Sequence, residues 1–83
     1  NKFYRKEDAG MMYSILVMSS VTYALKAQGL LARNGIGTRL EKLNKNRSLR
    51  GCGYGLRIEK TKVRAAENIL AEENIRIIEI IDY

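Results

Sequence analysis

The 83-residue chain has no histidine, no proline and no tryptophan, and only one cysteine. Without histidine it lacks the commonest proton shuttle and metal ligand at neutral pH. With a single Cys as well, a zinc site of the Cys/His type is excluded within one chain. One Cys forms no intrachain disulfide, so the expected compartment is the reducing cytoplasm rather than an oxidising exterior. No run approaches the ~20 apolar residues that a membrane-spanning helix needs. Met11–Met18 is apolar and follows Lys2, Arg5 and Lys6, but it is short, Glu7 and Asp8 interrupt the approach, and no small-residue cleavage site follows. It reads as a strand, not a signal peptide. The length also leaves no room for a second core.

What is present is ordinary globular composition: 46% hydrophobic and 29% charged residues, with a formal net charge of +6. The charge is uneven. Arg39, Lys42, Lys45, Arg47 and Arg50 face only Glu41 in the middle of the chain. Such a balance permits nucleic acid, anionic surfaces or acidic partners without demanding any of them. A solvated loop is the plain alternative.

Residues 1–11 read as an N-terminal extension and residues 12–83 as a single domain. Met12–Met18 is apolar on both parities, as in a central strand covered on both faces. Ser19 or Ser20 can cap a helix whose stripe would be Val21, Ala24, Leu25, Gln28, Leu31 and Ala32, stopped at Asn34-Gly35. Gly29 inside that helix suggests close contact with a sheet. Ile36–Leu40 alternates like a short strand, and 41–50 is polar and aperiodic, hence a loop. Gly53–Glu59 alternates again, with Tyr54, Leu56 and Ile58 on one side. Thr61 can cap a second helix with Val63, Ala66, Ile69 and Leu70 inward and Asn74 as its stop. Ile75–Ile81 then reads as the last strand. No internal repeat stands out.

The order β-α-β-β-α-β predicts a ferredoxin-like α+β sandwich: a four-stranded antiparallel sheet with two helices on one face. The first and third strands are expected to be central and parallel neighbours. Because the first and last strands are apolar on both parities, the open face is expected to seek a partner, giving a homo-oligomer through that face or a strand edge.

Arg50-Gly-Cys-Gly-Tyr-Gly-Leu-Arg57 stands apart from the rest. Gly51 and Gly53 remove side chains on either side of Cys52, which allows unusual dihedrals and close approach to the sulfur. Arg47, Arg50 and Arg57 would favour thiolate over thiol, and thiolate is the nucleophile. The plain readings are a small buried hydrophobe for Cys52 and a bulge or tight strand start for the glycines.

The chain also resembles a known family. The strand Tyr13–Met18, the Ser-Ser pair, Ala24-Leu-Lys-Ala27 with Leu30-Leu31, Gly35-Ile36 and Cys52-Gly-Tyr-Gly-Leu-Arg57 are similar to the small "putative Se/S carrier protein-like" family. The resemblance runs from about Met12 to Tyr83. It implies that Cys52 accepts a sulfur or selenium atom and hands it on, with Gly53 and Arg57 as motif partners and no cofactor. The positive side chains near Cys52 in the sequence would dock an acidic donor or acceptor protein. The family's Pro-rich stretch and Ser run before the Cys are replaced here by Lys42–Arg50, and Gln28 stands where an acidic residue is usual.

Two readings from other classes compete. An RNA-recognition motif has the same element order and a basic-Gly-aromatic-Gly-aromatic third strand. Arg50-Gly-Cys-Gly-Tyr54 matches that pattern with Cys52 in place of the first ring, and Tyr13 could stack from the first strand. The other reading is an oligomerising or regulatory domain without chemistry. Gly51-x-Gly-x-Gly55 is no phosphate loop, since it opens a strand and lacks the following Lys-Ser/Thr.

Overall fold

The computed structural model describes residues 12–43 and 53–82. Its elements are β1 (Tyr13–Val17), α1 (Val21–Arg33), β2 (Arg39–Lys42), β3 (Tyr54–Glu59), a 3-10 turn (Lys60–Lys62), α2 (Val63–Glu72) and β4 (Glu79–Asp82). The sheet order is β2-β3-β1-β4. This is the expected ferredoxin-like α+β sandwich.

One expectation about it fails. β1 and β3 are central neighbours but run antiparallel, with Tyr13 opposite Glu59 and Val17 opposite Gly55. The reason is topological. Helix α1 returns the chain so that β2 runs in the same direction as β1, and β3 then reverses and inserts between them. It must therefore oppose both. The β1–β4 and β2–β3 pairs are antiparallel as well.

Both helices end in the same way. Gly35 has φ +81°, its N–H donates to the Ala32 carbonyl at 3.0 Å, and the Ile36 N–H donates to the Leu31 carbonyl at 2.9 Å. Asn74 has φ 60°, its N–H donates to the Ala71 carbonyl at 3.1 Å, and the Ile75 N–H donates to the Leu70 carbonyl at 2.9 Å. Each is a Schellman cap, and in each the residue after the left-handed turn is a buried isoleucine against a buried leucine. These caps explain two boundary corrections. Ile36 and Ile75 were expected to open strands, but each is consumed by a cap. Strand pairing therefore begins later, at Arg39 and at Glu79. The sequence 31–36 thus returns at 70–75, a correspondence hidden by the substitution of Asn74 for Gly35.

Helix α1 starts where expected. The Ser20 side chain accepts from the Tyr23 N–H at 3.2 Å. Its inward stripe keeps Ala24 and Leu31 of the expected set and adds Ala27, while Val21 and Leu25 are 38% and 50% exposed. The helix lays its alanines against the sheet, where small side chains allow close approach. Gly29 lies on the exposed side with nothing near the position of a Cβ, so it marks no helix–sheet contact. Helix α2 is entered through the 3-10 turn with Lys62 at its cap position and no side-chain cap bond, so Thr61 does not cap it. Ala66 and Leu70 face inward as expected.

Strand β1 is buried on both faces. Leu16 and Met18 join Leu56, Ile58 and the two helices in the main core. Ile15 and Val17, both 0% exposed, form a second cluster with Leu43 and Ile81 on the other face. Among the described residues no helix is long and apolar enough to cross a membrane.

Candidate functional site

Cys52, Arg47, Arg50 and Gly51 lie outside the described residues. The site can be approached from Gly53, which is joined to Cys52 by one peptide bond. Gly53 has φ +94°, a left-handed conformation that only glycine adopts at little cost. Its carbonyl accepts the Leu43 N–H, tying the end of β2 to the start of β3. A Cβ at Gly53 would stand 3.4 Å from the Leu43 carbonyl oxygen. The glycine before Tyr54 is therefore a required turn.

Gly55 answers a different need. A Cβ there would meet the Ile15 Cγ2 at 2.5 Å and the Leu16 carbonyl oxygen at 3.1 Å. The side chain of Ile15 occupies the space that a side chain at 55 would take. Both glycines thus have structural reasons of their own, a left-handed turn and a close strand approach.

The same end of the sheet gathers several chain segments. The Met18 N–H donates to the Tyr54 carbonyl at 3.4 Å, and the Ile78 N–H donates to the Val17 carbonyl at 2.8 Å. Two residues beyond Met18, Ser20 caps α1, whose first turn carries no acidic side chain. The N-terminal end of a helix carries about half a positive charge and favours anions. Gly53 and that helix terminus are thus on one rim of the sheet.

Arg57 is elsewhere. Four residues of strand, roughly 13 Å, separate it from Gly53. Its Nη1 donates to Glu41 Oε2 at 3.3 Å, and its guanidinium lies 4.5 Å from the centroid of the Tyr13 ring. The reading of 41–50 as loop missed this pair, because Glu41 and Lys42 belong to β2. The two charges are sixteen residues apart in the chain. Only the register, with Glu41 opposite Gly55, reveals that they meet.

The two rings invoked for RNA stacking do not share a face. Strand alternation puts Tyr54 on the side of Leu56 and Ile58, which face the helices, while Tyr13 stands on the other side with Arg57. A single stacking platform of the RNA-recognition type is not formed by this pair.

The family described as "Putative Se/S carrier protein-like" matches residues 13–82. No curated protein and no solved structure matches the chain.

Proposed function

The chain belongs to the Se/S carrier-like family, and from that premise we propose that it carries a sulfur or selenium atom on Cys52. The observation that supports this reading most is the span of the family match, which takes in the chain's one thiol. The Cys52 thiolate attacks the terminal sulfur of a donor persulfide. A new S–S bond forms to Cys52, the donor's S–S bond breaks, and the donor leaves as a thiolate. An acceptor nucleophile then attacks the terminal sulfur, and Cys52 leaves as thiolate in its turn. A donor perselenide would pass selenium in the same way. No net oxidation occurs and no separate base is required once the thiol is ionised.

Several features favour that ionised form in this reading. Arg47 and Arg50 bring positive charge close in sequence, Gly51 and Gly53 leave the sulfur approachable, and the positive end of α1 lies on the same rim as Gly53. The basic segment 42–50 suits an acidic donor or acceptor protein. Arg57 serves differently, bracing β2 against β3 through Glu41. Self-association, in the same proposal, uses a strand edge, β2 or β4, since the apolar residues Ile15 and Val17 of the open face are already buried. The proposed compartment is the cytoplasm, where thiols stay reduced.

Incubation with a cysteine desulfurase and radiolabelled cysteine tests the reading. Wild type is expected to acquire label that a thiol reductant removes, and Cys52→Ser to acquire none. An unlabelled wild type, or equal label on both, would overturn it.

A further inference from the structure

A second site lies on the open face, at the end of β3 away from Gly53. A cavity of about 420 Å³ is lined by Tyr13, Gly37, Thr38, Arg39, Arg57 and Glu59. Three charged side chains line it: Arg57, which is paired with Glu41, and Arg39 and Glu59, which do not meet. Arg39 pairs in register with Arg57, so Glu59 is its diagonal neighbour on β3. Glu41, opposite Gly55, has Arg57 as its own diagonal neighbour in the same relation. One diagonal is closed by an ion pair at 3.3 Å. The other stays open: among the described residues neither Arg39 nor Glu59 makes an ion pair, and the cavity lies beside them. Diagonal neighbours across a strand pair are within reach of long side chains, so a gap between such charges is a place for a ligand that contacts both.

The segment before β2 adds donors. Among the described residues, the N–H groups of Gly37 and Thr38 reach no backbone carbonyl. The Thr38 hydroxyl oxygen is buried and has no hydrogen-bond partner, an arrangement that costs about 1–3 kcal/mol in a folded protein. One wall thus offers the Arg39 guanidinium and the 37–38 segment with its unpaired polar groups. The other offers the Glu59 carboxylate and the Tyr13 ring, over which Arg57 lies.

We infer that this cavity binds a small zwitterion of the α-amino-acid class: its carboxylate held by Arg39 and the 37–38 segment, its ammonium by Glu59, its side chain against Tyr13. A bare anion would meet Glu59 and a bare cation Arg39, so only a ligand with both charges satisfies both walls. The site is independent of Cys52 and stands or falls apart from sulfur carriage.

Amide chemical shifts of the full chain, titrated separately with L-alanine, acetate and methylammonium, test it. L-Alanine is expected to shift Gly37, Thr38, Arg39 and Glu59 saturably, and to bind about tenfold or more tighter than either half-ligand. Arg39→Gln and Glu59→Gln should each weaken L-alanine binding about tenfold, with thermal melting to confirm that each variant is folded. Cys52→Ser should bind as wild type does. Acetate binding as tightly as L-alanine, no saturable shift up to ~100 mM, or unchanged binding in both charge variants would overturn the inference.

Discussion

The two ends of β3 are built on opposite terms. At the Gly53 end, missing side chains shape the chain: a left-handed turn at 53 and a gap at 55 filled by Ile15. At the Arg57–Glu59 end, charged side chains shape it: one diagonal pair closed on Glu41 and one left open around a cavity. Leu56 and Ile58, fully or almost fully buried on the opposite face, hold the strand between the two ends. The segment Cys52-Gly-Tyr-Gly-Leu-Arg57 is therefore not one site. Gly53 supplies a left-handed turn and Gly55 the space that Ile15 fills, the leucine anchors the core, and the arginine braces the neighbouring strand.

Substitutions can break the comparison at either end. Gly55→Ala should have the largest effect on stability, a loss of about 1–3 kcal/mol, because the new Cβ overlaps Ile15 Cγ2 and presses on the Leu16 backbone. Urea denaturation would show it, and with Ile15→Ala in the same chain the combined loss should be smaller than the sum of the two separate losses. Additive losses would mean that Ile15 is not what excludes a side chain at 55. Gly53→Ala should cost less, about 1–2 kcal/mol, through the left-handed backbone rather than through a clash. Its loss should simply add to that of Ile15→Ala. At the charged end, a double-mutant cycle of Arg57→Ala and Glu41→Ala should give a coupling of only about 0.5–1 kcal/mol, since both side chains are partly solvated. A coupling larger than that at Gly55 would invert the comparison.

Much of this fold was readable in the residues, and the misreadings share causes. The two-sided apolar pattern of Met12–Met18 marked a central strand, and Ser20, Gly35 and Asn74 marked helix limits correctly. The strand starts were misplaced because Ile36 and Ile75 look like β residues. Their apolar side chains are used instead to close helix caps. Ala24 and Leu31 of the α1 stripe are buried as expected, but Val21 and Leu25 outweigh Ala27 in hydrophobicity and displaced it from the reading, whereas the sheet accepts the smaller side chain. At the candidate site, the glycine pattern was legible, but the separation of Arg57 from Gly53 was not. Alternation tells which face a residue takes, and only strand register tells which residues it meets. The cavity needed that register too, because Arg39 and Glu59 are twenty residues apart in the chain and become neighbours only through the β2–β3 pairing.

The central claim is that sulfur carriage belongs to the Gly53 end alone. Persulfide loading by a cysteine desulfurase, read as intact mass across a panel of variants, tests it most directly. Wild type, Arg39→Gln and Glu59→Gln should all gain the mass of one reducible sulfur atom to the same extent, and Cys52→Ser should gain none. Loading that persists in Cys52→Ser, or that is lost in Arg39→Gln as completely as in Cys52→Ser, would contradict the account.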